Sequence, residues 1–279
     1  MPRNLVKRVA PKPPEKAAAP ASLFLFDDRI VWGSASFRGD ETTRPACALL
    51  IGAERPLTVT AGREVLRTRA VLVAPNVARK LDAQGAGFYS LTLDPAHKGS
   101  RYLRDQVLAG RRLLDLGSRM NGAAVRVVRE TIRGTTDCAE TLRASDWLLA
   151  HFFPMAGAAA PIELRVARAA SWLRRYTPPR ADMRQLGELC QLSAGRLTHL
   201  FSQELGVSIR SYLRWVKMCK AADLLGRRHT VTEVAAAIGF ADAAHFTRVL
   251  RTYYSAAPSF INNRERVRVH ACSAFALQA

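Results

Sequence analysis

The feature that most constrains this sequence is an internal repeat in its last third. Residues 186–201 read Leu186-Gly187-Glu188-Leu189-Cys190-Gln191-Leu192-Ser193-Ala194-Gly195-Arg196-Leu197-Thr198-His199-Leu200-Phe201. Residues 234–250 return to that texture as Val234-Ala235-Ala236-Ala237-Ile238-Gly239-Phe240-Ala241-Asp242-Ala243-Ala244-His245-Phe246-Thr247-Arg248-Val249-Leu250. The first halves align at an offset of 48 and the second halves at 49, with one extra residue in the turn. Self-similarity at a fixed period means two copies of one supersecondary unit. Each copy predicts a helix, a tight turn and a second helix. Gly187 or Ala235 keeps the first helix slim where backbones must approach, and Ser193 or Asp242 is placed to cap the second. Leu197, Leu200 and Phe201, or Phe246, Val249 and Leu250, form the buried stripe of that second helix.

A helix pair of this kind is built to brace one helix and present the other to the major groove of duplex DNA, whose width admits an α-helix. Between the copies, Ser208 to Leu225 predicts a long helix with Ile209, Tyr212, Leu213, Val216, Ala221, Leu224 and Leu225 on its apolar face. Arg210, Arg214, Lys217 and Lys220 cover much of the remainder. Such a rod would be about 27 Å long at 1.5 Å per residue, against about 34 Å for a turn of B-DNA. Charge points the same way. The 279 residues carry 42 Lys+Arg against 23 Asp+Glu, a net +19, and residues 161–264 hold 16 of the bases against 7 acids. An excess of this size suits a polyanion, with nucleic acid ahead of an anionic membrane surface. No run reaches the roughly 18 apolar residues a spanning helix needs.

Residues 165–262 resemble the DNA-binding domain of the AraC/XylS family of bacterial transcriptional regulators. The resemblance rests on Leu192-Ser193, Arg196-Leu197-Thr198-His199-Leu200-Phe201, Gly206, Tyr212-Leu213, Ala221 and Leu224-Leu225. It continues through Val234-Ala235, Ile238-Gly239-Phe240, Asp242, His245-Phe246-Thr247-Arg248 and Pro258. The chain departs from the family pattern at Gly187, Lys217-Met218, Ser255 and Ile261-Asn262. The resemblance implies that Ala194, Gly195, Arg196, Thr198 and His199 face DNA from the first reading helix, and Ala243, Ala244, Thr247, Arg248 and Arg251 from the second. Arg196 has the chemistry to pair bidentately with guanine, whereas the small residues of the second helix suit thymine-methyl or backbone contacts.

The preceding region has a different texture. Short apolar runs, Leu23-Phe24-Leu25-Phe26, Ile30-Val31-Trp32, Ala48-Leu49-Leu50-Ile51, Leu57-Thr58-Val59, Val71-Leu72-Val73 and Phe88 to Leu93, alternate with turn residues at about ten-residue spacing, which predicts a β-sandwich or barrel. From Arg101 to Phe153 the pattern turns helical, with Leu103, Val107, Leu108, Leu113 and Leu114 at spacings compatible with one face. The expected organisation is an α+β, two-domain protein. It comprises a disordered basic leader over 1–20, a cupin-like β domain over 21–100, a helical segment over 101–153 for dimerisation or for the core, and a linker over 154–161. A DNA-binding domain over 162–264 follows, with helix-turn-helix units near 183–204 and 231–254 joined by a helix over 208–225; the tail 265–279 is unassigned.

Family architecture implies that the β domain senses a small-molecule effector. The basic residues Arg63, Arg67, Arg69, Arg79 and Lys80, if they converge, would suit an anionic one, since guanidinium groups bind carboxylate or phosphate bidentately; a solvated basic surface is the alternative. The strand region has no histidine before His97 and the chain no His-x-His, so a metal-dependent cupin enzyme fails on its ligand inventory. No catalytic residue, metal or cofactor is expected. Cys47, Cys138, Cys190, Cys219 and Cys272 are odd in number and far apart, which argues against a disulfide framework and for a reducing, cytoplasmic location. The expected protein is a non-enzymatic regulator, a homodimer with promoter DNA, an effector and, if it activates, RNA polymerase as partners. A nonspecific nucleic-acid-binding protein is the rival reading.

Overall fold

The strands of the N-terminal half divide into those buried on both faces and those buried on one, and this difference builds the domain. In the computed structural model, which describes residues 19–156 and 159–272, the chain opens with β1 (Ala21–Leu25), β2 (Arg29–Ser34), β3 (Phe37–Thr42), β4 (Ala48–Gly52), β5 (Leu57–Ala61), β6 (Glu64–Thr68), β7 (Ala70–Val73), β8 (Arg79–Ala83) and β9 (Phe88–Leu93). Two later strands, β10 (Leu113–Asp115) and β11 (Val267–Ala271), complete a seven-stranded sheet in the order β10-β7-β4-β9-β2-β1-β11. The other sheet is β3-β8-β5-β6. The expected leader lies, up to residue 18, outside the described residues.

In the larger sheet the inward residues Leu23, Ile30, Trp32, Leu50, Val71 and Phe88 meet the smaller sheet. Their neighbours Phe24, Val31, Leu49, Ile51, Leu72, Tyr89 and Leu91 face the opposite way, into a second apolar layer. A strand covered on both sides reads as an unbroken apolar run, which is why these strands stand out in the sequence. In contrast, β3, β6 and β8 have one solvated face and carry Arg38, Asp40, Glu64, Arg67, Lys80 and Asp82.

The second apolar layer is covered by α2 (Gly122–Arg133) and α3 (Cys138–Phe152), through Val128, Ile132, Leu148 and Phe152. Ahead of them come the short α1 (Lys98–Tyr102) and a π-helical stretch, Leu103–Leu108. The expectation that Leu113 and Leu114 continue a helical face is corrected. Ala109 and Gly110 take left-handed φ angles of 46° and 83°, which ends the helix. Leu113 and Leu114 then pair with Val73 and Leu72 as strand β10.

The C-terminal domain consists of α4 (Leu164–Tyr176), α5 (Met183–Cys190), α6 (Ala194–Leu205), α7 (Ile209–Gly226), α8 (Val231–Ala237), α9 (Ala243–Tyr254) and α10 (Pro258–Ile261). Among the described residues no helix is long and apolar enough to cross a membrane. The chain then returns to the first domain. Strand β11, in the segment left unassigned by the sequence, pairs in parallel with β1, Ala21 opposite Val267 through Leu25 opposite Ala271. Just beyond it Cys272 is disulfide-bonded to Cys138 in the first turn of α3, which corrects the expectation against disulfides drawn from the number and spacing of the cysteines. Cysteines 134 residues apart in sequence give no spacing signal; only the return of the tail brings them together.

Polar contacts at three places join the helical domain to the first. Centrally, the Asp94 carboxylate, 2% exposed at the end of β9, accepts from Trp215 Nε1 at 2.8 Å and Tyr212 Oη at 3.1 Å, both on α7. It also pairs with Arg174 of α4 at 2.9 Å. Burial alone would lower the Arg174 pKa, but the Asp94 charge outweighs it and raises it. On one side Arg101 pairs with Glu204 at 2.6 Å, at the C-terminal end of α6. On the other, the Thr43 N–H donates to Thr252 O at 2.8 Å and Arg44 Nε to Tyr253 O at 2.6 Å, at the end of α9.

Removing one partner of a buried ion pair strands the other charge. Asp94→Ala is therefore expected to weaken the docking of the two domains by about 3–5 kcal/mol, seen as a lower or split thermal transition and faster proteolysis between residues 154 and 161. Closing a long loop restricts the unfolded chain, so Cys138→Ala is expected to lower the stability of the oxidised protein by about 2–5 kcal/mol. The same substitution should change little in reductant, a comparison that calorimetry makes directly.

Candidate nucleic-acid interface

Both helix pairs are built by local hydrogen bonds that the sequence specifies. Asp182 caps α5, accepting from the N–H groups of Arg184 and Gln185 at 2.9 and 3.2 Å. Gln191 takes a left-handed φ of 54° and ends that helix, and the Ser193 hydroxyl then caps α6 by accepting from the Arg196 N–H at 3.3 Å. In the second unit Thr230 and Glu233 form a reciprocal capping box at the start of α8. Gly239 makes the turn at φ 69°, where a Cβ would sit 2.8 Å from Pro179 Cα, and Asp242 caps α9 by accepting from the His245 N–H at 2.6 Å. Gly187 is needed for a similar reason: a Cβ there would lie 2.6 Å from the Leu192 carbonyl oxygen of the turn.

The second helix of each pair is anchored by its apolar side. Leu197, Phe201 and Leu205 of α6, and Phe246, Leu250, Tyr253 and Tyr254 of α9, are buried. The opposite sides are open. Gly195, Arg196, Thr198 and His199 are exposed, as are Ala244, Arg248 and Arg251, while Ala243 and Thr247 are half-buried. Arg196, Arg248 and Arg251 form no ion pair among the described residues. Thr198 donates its hydroxyl to the Ala194 carbonyl at 2.8 Å, so toward a partner it offers a lone pair and a methyl group. Ala194, Gly195, Thr198, His199, Ser202 and Gln203 line one open concave face. Ser202 and Gln203 were not among the sequence-based candidates, although their spacing from Gly195, Thr198 and His199 places them on that face.

The joining helix α7 differs from its expected two-sided form. The residues beside its expected stripe, Trp215, Met218 and Ala222, are buried as well. Lys217, read from the sequence as part of the solvated basic face, is 6% exposed. Its Nζ donates to the Pro179 carbonyl at 2.9 Å and lies over the Phe240 ring. Desolvation lowers its pKa. Lys217 thus ties the turn of the second unit to the loop before the first, and α7 is packed by both domains.

The five basic residues considered for an anionic effector do not converge. Arg63, Arg67 and Lys80 are exposed, and Arg69 is spent on the carbonyls of Gly52 and Ala53. Arg79 alone points into the domain, 3% exposed.

Residues 186–264 match the family model described as a helix-turn-helix domain. Over 69 residues the chain is 39% identical to the HTH-type transcriptional activator RhaR of Yersinia pseudotuberculosis, covering 24% of each protein. It is 34% identical over 76 residues to an uncharacterized HTH-type transcriptional regulator of Haemophilus influenzae, covering 27% of this chain and 26% of the other. The matches thus span about a quarter of the length of these curated relatives. The solved structure of ToxT from Vibrio cholerae superposes over 83% of this chain and 95% of its own, with a TM-score of 0.54 at 11% identity, so the two-domain fold is shared. The repeated unit, its caps and these likenesses together show a C-terminal helix-turn-helix domain similar to that of AraC/XylS family regulators.

Proposed function

We propose that this protein is a sequence-specific, DNA-binding transcriptional regulator whose N-terminal domain senses a small molecule. The observation that carries this reading is the pairing of two capped helix-turn-helix units with open outer faces on one buried rod, α7. In this reading α6 reads bases through Arg196, Thr198 and His199, joined by Gly195, Ser202 and Gln203 on the same face. The second helix, α9, contributes Arg248 and Arg251 toward bases or phosphates, with Ala243, Ala244 and Thr247 allowing close approach to the groove. The protein acts on promoter DNA in the cytoplasm as a homodimer, contacts RNA polymerase where it activates, and catalyses no reaction.

The arrangement also suggests how a signal could pass. The first domain touches α6 and α9 near their C-terminal ends, at Glu204 and at Thr252 to Ser255, and leaves their N-terminal ends free. A ligand that alters this docking changes how the reading helices are presented without touching their outer faces.

Genome-wide occupancy mapping is expected to give discrete peaks, whereas a continuous smear would leave only nonspecific binding. Affinity for a fragment from such a peak should fall by about a thousandfold between roughly 50 and 200 mM salt if some six phosphates are contacted. Arg196→Ala should cost about 1–3 kcal/mol and relax discrimination at one base pair. Arg251→Ala, if that residue meets phosphate, should weaken all sequences alike, a contrast that binding titrations on matched and mismatched fragments measure.

A further inference from the structure

The helical domain is held to the first domain at both of its ends. At its start it follows α3 in the chain, and at its finish strand β11 lies against β1. The Cys138–Cys272 disulfide joins residues 134 apart in sequence, and the loop it closes contains the whole of α4 to α10. Apart from that bond, β11 is held at the edge of the larger sheet by five residue pairs with β1, by burial of Val267 and by the His270 ring stacked on Phe24 at 4.3 Å. Val269 lies against Gly226 at the end of α7, so the strand is built partly into the helical domain.

The two bonded sulfurs differ in setting from the other cysteines. Cys138 and Cys272 are half-buried, at the margin of the second apolar layer. Cys47, Cys190 and Cys219 are free thiols, and burial raises the pKa of each, which leaves little reactive thiolate. Helix α3 does not depend on the bond at its first residue. The Asp137–Glu140 capping box fixes its first turn, Leu148, Leu149 and Phe152 bury it against the sheet, and Arg29 reaches Asp146 and Ser145 at 2.5 and 2.8 Å. Breaking the disulfide therefore frees the tail and leaves α3 in place. In a reducing cytoplasm a partly accessible disulfide forms under oxidising conditions and is lost when they pass, which makes it a reporter of redox state rather than a permanent staple.

We propose that Cys138 and Cys272 form a thiol–disulfide exchange site whose state sets how firmly the DNA-binding domain is docked. The co-reactant is a low-molecular-weight thiol. Its thiolate attacks one sulfur, a mixed disulfide forms as the Cys138–Cys272 bond breaks, and the other cysteine leaves as a thiolate that takes up a proton. A second thiolate attacks the mixed disulfide, frees the remaining cysteine in the same way and departs as the disulfide-linked pair. Two electrons and two protons pass from the two thiols to the protein, and the corresponding low-molecular-weight disulfide reverses each step. The inference rests on the cytoplasmic, DNA-binding reading proposed above and adds its regulation. In the docked arrangement the outer faces of α6 and α9 are open, so the oxidised form holds them in place and loses less freedom on binding DNA. The reduced form releases β11 and leaves the helical domain to move on its remaining contacts.

The full-length native protein is incubated with millimolar reduced or oxidised glutathione, alkylated and mapped by mass spectrometry. Cys138 and Cys272 should become alkylated after the reduced form and be protected again after the oxidised form. Reduction should speed hydrogen exchange at the β11 amides that pair with β1 by at least about tenfold, and by more than at β9, because the edge strand opens locally. Affinity for a DNA fragment from an occupied genomic site should be at least about fivefold higher for the oxidised protein. Cys138→Ser and Cys272→Ser should each behave as the reduced protein in both buffers, and the reduced wild type supplies the same comparison without a substitution. The proposal is overturned if glutathione leaves the bond intact in the native protein, or if β11 and β9 accelerate alike, as loss of a purely structural staple would cause. It is likewise overturned if the reduced form binds the fragment as tightly as the oxidised form or more tightly, or if either serine variant keeps a redox-dependent affinity. A protein that binds no fragment in either state sinks the DNA-binding reading instead, while alkylation and exchange still decide whether the bond controls docking.

Discussion

The architecture turns on a single carboxylate. Asp94 ends the strand at the centre of the larger sheet, and its oxygens are taken up by Arg174, Tyr212 and Trp215 from the helical domain. The Ala96 N–H occupies Oδ1 from its own side at 2.7 Å. A buried charge is tolerated when its hydrogen-bonding capacity is filled from several directions, and here the filling groups come from two domains. An apolar cluster continues across that boundary, from Leu50 and Phe88 in the sheets to Trp215 and Tyr253 in the helices. The charged contact gives the docking a register; the apolar surface around it supplies most of the adhesion.

That docking explains why α7 is apolar nearly all round. A joining rod exposed to solvent would need only one buried stripe, facing its own domain. Here the opposite side lies against the first domain and β11, where Gly226 lets the helix end approach Val269. The contacts near the ends of α6 and α9 attach the first domain to both of these helices. The outer faces of those helices carry no part of that attachment.

Much of the helical domain was legible beforehand because its signals are local. Caps such as Ser193 and Asp242, the glycine at the second turn and the apolar spacing of Leu197 and Phe201 act within a few residues, and a repeat shows them twice. Strands covered on both faces, such as Ala48–Gly52, were also legible as unbroken apolar runs. By contrast, β3 and β6 have a solvated face with charged residues and resemble loops in the sequence. Leu113 and Leu114 fit a helical spacing and became a strand because the helix ends at Ala109 and Gly110. Of the five basic residues suggested for an anion, strand alternation turns Arg79 inward and Lys80 outward, a choice that depends on which face the sheet buries.

By itself the sequence determined the two helix-turn-helix units, the residues on their outer faces and the β-rich character of what precedes them. Periodicity and capping are properties of neighbouring residues, and an exposed side chain needs no distant partner to be placed. Only the tertiary structure decided that Asp94 would meet Arg174, that the tail would return as β11 and bring Cys272 to Cys138, and that Arg79 would be buried with no counter-charge among the described residues. Each of those depends on residues many tens of positions apart, and a long-range pairing leaves no trace in local spacing when charged groups are common along the chain.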